Sequence, residues 1–212
     1  MTILKKEFDM KKLIFALLLM IFIRILSACE AQTNPEDSQL LNTNHTDDLR
    51  LERDYEGYSF IENGIGEVEL VNCLTGHSTD FREVDNGETF RTRYIGIATP
   101  PPYTNPPKPW SLEVTDYVCD VLSGADKIVL ESDPESARRD GTSMGRYLVY
   151  VWYDDGQGEL RNLNLELIEL AYTAYNGGSS LYAYIFRSAW FETQATNRRI
   201  WGEEDPDPRT GD

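Results

Sequence analysis

Two arginines carry the chemistry this chain could do. Arg93 sits inside "FRTRYIGIATPPP" (90–102), an apolar strand that runs into Gly96 and Ile97 and stops at Thr99-Pro100-Pro101-Pro102. Arg146 opens "GRYLVYVWYDDG" (145–156), a second apolar strand. A guanidinium group presents a planar fork of N–H donors that grips a phosphate or carboxylate through two parallel bonds. Two readings follow from the residue types. The arginines pair with acids of their own chain, which has 36 acidic residues against 20 basic ones, or together they hold an external oxyanion. His77, in "TGHST", reads as an exposed turn residue, with metal ligation the minor alternative.

The elements that must position these residues are strands first, then helices among strands. "GEVELVNCL" (66–74) alternates as a strand, and "DFREVDNGETFRTRYIGIA" (80–98) is two strands joined at Asn86-Gly87, a strong hairpin signal. Residues 99–109 hold six prolines and form a rigid irregular loop. A helix follows, with Ser111 as its cap, apolar residues at Val114, Tyr117, Val118, Val121 and Leu122, and Gly124 at its end. Strands are expected at 127–132 and 146–153, a helix at 164–175, and the last helix within 180–203. The order fits a β-rich α+β fold, a five-stranded Greek-key barrel of the OB type with about three packed helices. Trp110, Trp152, Trp190 and Trp201, and most tyrosines of the strands and helices, are expected in packing roles.

Residues outside this block set the context. Lys11 and Lys12 precede the 11 apolar residues "LIFALLLMIFI" (13–23), a run too short to span a bilayer and matched to an export signal, with Met10 as the start. The closing "LSAC" (26–29) resembles the lipobox of bacterial lipoproteins, which would make Cys29 the lipid-modified residue, held on the outer face of the cytoplasmic membrane. Residues 1–28 are therefore expected to be signal peptide, 29–63 a lipidated cysteine and acidic disordered tether, 64–204 the folded domain and 205–212 a disordered tail. Export permits a disulfide between Cys73 and Cys119, but spacing does not decide between a disulfide and free thiols. Five of the 20 basic residues and two of the 36 acidic ones fall in the first 28, leaving 15 basic against 34 acidic. Such a surface repels polyanions, so long-range steering of DNA or RNA is not expected.

Four stretches, in order, resemble the staphylococcal nuclease (thermonuclease-like) family over about 66–204: "FRTRYIGIATPP", "GRYLVYVWYDDG", "NLELIELAYT" (164–173) and "NRRIWGE" (197–203). The resemblance implies a five-stranded OB barrel and, in active members, calcium-dependent cleavage of DNA or RNA. There, carboxylates bind the cation, a glutamate handles the proton of the attacking water, and two arginines hold phosphate oxygens. Carried over residue by residue, the arginines fall on Arg93 and Arg146. The acids fall on Ala98, Pro101 and, counting back without gaps, Thr79, none of which can bind metal or move a proton. Anchoring instead on Gly76 puts His77 in the third position. Asp80, one residue from Thr79, is a weak metal candidate because strand alternation aims it at the opposite face.

The expectation is a domain that keeps the cationic half of a nuclease site and has lost the anionic half. It would act without a cofactor as a non-catalytic module for an anion, a protein partner or an envelope polymer. The alternative is a divergent calcium-dependent phosphodiesterase drawing carboxylates from Asp80, Glu113 or the loop at 133–140.

Overall fold

A computed structural model describes residues 45–135, 137–142, 144–177 and 181–211. The expected signal peptide, Cys29 and residues 30–44 of the expected tether lie outside the described residues. In chain order the elements are α1 (His45–Asp48), α2 (Phe60–Asn63), β1 (Ile65–Thr75), β2 (Ser78–Glu83), β3 (Thr89–Tyr94), α3 (Ser111–Gly124), β4 (Lys127–Glu131), β5 (Tyr147–Asp154), β6 (Leu160–Asn162), α4 (Leu163–Glu169), α5 (Ala183–Gln194) and a 3-10 turn (Arg199–Trp201).

Alternation builds the sheet. In β1, Val68 points inward between exposed Glu67 and Glu69. The β2–β3 hairpin turns at Asn86-Gly87, where Gly87 adopts φ 74°, a left-handed conformation open to glycine. The strand order is β3-β2-β1-β4-β5-β6, and β3 also pairs with β5. That last pairing is parallel, with Thr92 opposite Tyr147, Arg93 opposite Leu148 and Tyr94 opposite Val149. It closes β1–β5 into the expected five-stranded barrel, and β6 is an additional short strand on β5. Trp152, Tyr94, Tyr150, Phe81, Leu130 and Phe186 are among the fully buried side chains. Burying a side chain of this size stabilises the fold by about 1.5–3 kcal/mol.

Four sequence expectations are corrected. Residues 45–63 are part of the fold rather than tether: Thr46 and Phe60 are buried, and the Glu169 carboxylate accepts the backbone N–H groups of His45 and Thr46. Ser59 caps α2 by accepting from Glu62 N (3.2 Å), and Gly64 ends it at φ 76°. Ser111 does not cap α3; Trp110 occupies that position at φ 64°, and the buried Ser111 hydroxyl has no hydrogen-bond partner among the described residues. The expected disordered tail lies against the proline loop. Asp205 Oδ2 accepts from Trp110 N (2.6 Å), the Glu203 carbonyl accepts from Trp110 Nε1 (3.3 Å), and Gly211 N donates to Pro107 O (2.9 Å).

The fourth correction concerns the helix expected at 164–175, which ends at Glu169. Ala171 is left-handed (φ 58°), and Tyr172 N donates back to Leu167 O (3.0 Å). The chain then crosses the end of the barrel, where Thr173 Oγ1 accepts from Ala98 N (3.1 Å). Asn164, fully buried at the second position of α4, ties the helix to the closing strands. Its Oδ1 accepts from Val151 N (3.0 Å), and its Nδ2 donates to Ile95 O (3.0 Å) and Val149 O (3.1 Å). Replacing it leaves buried backbone groups unsatisfied, each costing about 1–3 kcal/mol. Asn164→Ala is expected to lower the free energy of urea unfolding by about 3 kcal/mol. A loss well under 1 kcal/mol would show that the amide does not hold the barrel closed.

Candidate functional site

Barrel closure brings the two arginines together. Arg93 is the fifth residue of β3, and Arg146 immediately precedes β5, so the parallel β3–β5 pairing sets both at one mouth. Their charges act on each other. Burial, and next the Arg146 charge, lower the pKa of the half-buried Arg93 guanidinium from its ordinary value.

Arg146 is tied to Asp140. Its Nε donates to Asp140 Oδ2 (2.7 Å) and its backbone N to Oδ1 (3.0 Å), in a pair whose side chains are only 13% and 9% exposed. Thr142 donates its hydroxyl to the same Oδ1 (2.8 Å), and Asp140 N donates to Arg146 O (2.8 Å). Burial pushes the Asp140 carboxyl up, but the Thr142 hydroxyl and the Arg146 guanidinium together hold it below its ordinary value. Next to this pair, Arg139 stacks on Tyr147 (3.8 Å to the ring centre) and donates to Gly145 O (2.8 Å), fixing the turn that delivers Arg146.

Arg93 has a different neighbour. Its Nη1 lies 3.2 Å from His77 Nε2. A guanidinium only donates, so it faces Nε2 as a donor. On the other side of the ring Nδ1 accepts from Thr99 N–H (3.2 Å) and lies 2.7 Å from Thr99 Oγ1, so donors face both nitrogens and disfavour a second proton on the ring. His77 is thus neutral and buried, which corrects the expectation of an exposed turn residue. The cause is the close approach of Gly76, where an added Cβ would meet Val114 of α3 at 2.8 Å and Thr99 Oγ1 at 2.9 Å. Burial, then the charges of Arg93 and Arg146, lower the His77 pKa to about 4.

The remaining predicted positions fall as follows. Thr79 is fully buried and shares a hydrogen bond with Tyr94 OH (2.8 Å). Ala98 and Pro101 supply no side-chain donor or acceptor. Asp80 is held by Arg91 through two bonds (2.7 and 3.0 Å), which engage both of its carboxylate oxygens. Glu113 Oε1 accepts from Tyr172 OH (2.6 Å) and pairs with Arg199 (3.4 Å). Among the described residues, no group of three or more His, Cys, Asp and Glu side chains could hold a metal ion. Sequence reasoning missed one member of the site, Asp140, which lay unranked in the 133–140 loop.

Among the described residues Arg93 has no carboxylate partner, and only its Nη1 makes a hydrogen bond. The terminal nitrogens of Arg146 likewise have no protein partner there. The site is a cluster of guanidinium donors with one acid already committed, a geometry suited to an oxyanion. No family model matches this chain, and no curated protein matches it.

His77 supplies a pH test. An unfolded histidine titrates near 6.5, and the folded ring near 4. Between these values the unfolded chain binds the extra proton. The stability conferred by the neutral ring is therefore complete above about pH 6.5 and lost as pH falls toward 4, by roughly 3 kcal/mol. His77→Gln should unfold with a shallower pH dependence across that window. Superimposable stability–pH curves for the two proteins would contradict the assignment.

Proposed function

We propose that this domain is a non-catalytic anion-binding module on a thermonuclease-like barrel, with Arg93 and Arg146 as the groups that hold the anion. One observation carries the reading. In a chain with 36 acidic residues, Arg93 stays half-buried beside a second guanidinium and, among the described residues, has no acid at ion-pair distance, Asp140 acting on it only from farther off. Two like charges at one mouth repel, and an oxyanion between them relieves the repulsion while meeting unused N–H donors. The anion is a phosphate-type group on a partner protein, a small ligand or an envelope polymer. The acidic surface argues against polynucleotide capture. Lipidation at Cys29 and display on the outer face of the membrane belong to the same proposal, resting on the sequence of residues 10–29.

The competing reading, a calcium-dependent phosphodiesterase, needs carboxylates with free oxygens at this mouth. Asp140, Asp80 and Glu113 are each engaged by an arginine. Titration calorimetry with inorganic pyrophosphate should show saturable binding to the native protein. Losing a charge-assisted donor costs about 1.5–3 kcal/mol, so Arg93→Ala or Arg146→Ala should weaken binding roughly 10- to 100-fold. Single-stranded DNA and RNA should survive incubation with the protein, with or without calcium. Calcium-dependent cleavage that vanishes in Arg93→Ala would overturn the proposal.

A further inference from the structure

The outer face of α5 carries apolar groups that the barrel does not use. Phe186, Ala189 and Thr193 are buried at a spacing of three and four residues, which turns the opposite side of the helix to solvent. Tyr184 and Phe191 stand on that opposite side, seven residues and close to two full turns apart. They are 90% and 58% exposed, and Tyr184 is the most exposed large hydrophobic side chain among the described residues. Leu181, two residues before the helix, is exposed as well.

Two independent observations say what covers this face. The first is charge. α5 holds two charged residues, Arg187, exposed and lying between the two rings in sequence, and Glu192. Glu192 is engaged by His45, whose Nε2 lies 3.1 Å from Oε1 and 3.2 Å from Oε2. In a chain with 36 acidic residues against 20 basic ones, the face thus offers rings and a guanidinium, its one acid being held. The second is where the chain enters. His45 is the first described residue, and besides its ring contact to α5 its backbone N donates to Glu169 Oε1 (2.9 Å). The 15 residues that separate it from Cys29 reach at most about 60 Å.

We propose that the outer face of α5 docks on the lipid surface that holds the anchor, with Tyr184 and Phe191 at the headgroup level and Arg187 on headgroup phosphates. The inference rests on the anchoring at Cys29 proposed above. Aromatic rings with one polar end suit the boundary between headgroups and acyl chains. A surface rich in carboxylates is repelled by anionic lipid, so the face without a free acid is the one that approaches. The anchor makes docking an intramolecular event, for which a small apolar contact suffices. The contact fixes the orientation of the barrel on the membrane.

The test uses the protein extracted from the membranes of cells that make it and returned to phosphatidylcholine vesicles. Mass spectrometry of the N-terminal peptide reads whether Cys29 carries lipid. Tyr184→Trp places a reporter on the face, its emission taken as the difference from the unsubstituted protein. That emission should be quenched when the vesicle lipids are brominated in the upper acyl chain, and iodide in the water should leave it largely unquenched. Adding Phe191→Glu should remove the bromolipid quenching and open the reporter to iodide, with the lipid on Cys29 retained. An unmodified Cys29 would overturn the anchoring and this inference together. A lipidated protein whose reporter is untouched by bromolipid would overturn the inference alone, whether iodide reaches the helix or a second protein surface shields it. The measurement on Tyr184→Trp decides the matter even if the Phe191→Glu protein folds poorly.

Discussion

The site depends on two guanidinium groups forced close together by closure of the barrel. The β3–β5 pairing fixes their backbones, and Asp140 neutralises one of them. The other must be held by something that tolerates a neighbouring cation. A neutral histidine does this, because donors face both ring nitrogens, the Arg93 guanidinium at Nε2 and the Thr99 N–H at Nδ1. That arrangement needs the ring kept from water, which in turn needs a residue without a side chain at Gly76. The chain of requirements runs from a missing Cβ to an arginine with unused donors.

Several acids of the described residues are engaged elsewhere. Glu131, fully buried, accepts from Trp152 Nε1 (3.2 Å) and Tyr182 OH (2.8 Å). Glu166 accepts from Tyr153 OH (2.6 Å) and also from Tyr117 OH. Glu83 accepts from the Ser59 hydroxyl (2.8 Å) and from Ile61 N (2.7 Å). A buried carboxylate needs such donors, and tyrosine brings one together with apolar area. These tyrosines thus tie elements together, consistent with packing roles rather than a surface for stacking bases. With them so placed, the mouth keeps its positive character despite the charge of the whole.

Much of this was legible in residue order. Asn86-Gly87 marked the hairpin, alternation marked β1, and the apolar runs containing Arg93 and beginning at Arg146 marked the strands that close the barrel. The parts that were not legible depend on contacts distant in sequence. His77 looks like a turn residue locally, and only the approach of α3 buries it. Asp140 sits in a segment with no periodicity, so nothing nearby aims it at Arg146. Ala171 ends α4 in a left-handed conformation that its residue type does not announce, the chain there being drawn to Ala98 and Ile97. One miss was avoidable: "SFIENG" (59–64) carries a capping serine, a glutamate three residues on and a terminal glycine, the signature of a short helix. Its polar, acidic surroundings masked it.

The proposed site requires that Arg93 and Arg146 hold donors in reserve for an anion without a metal between them. Nitrogen-15 spectra of the arginine side chains, recorded while inorganic pyrophosphate is added in the presence of a chelator, test that requirement. Saturable shifts of the Arg93 and Arg146 signals, with the other arginines unmoved, are the expected result. Signals that stay in place, or that move only once calcium is supplied in excess of the chelator, would contradict it.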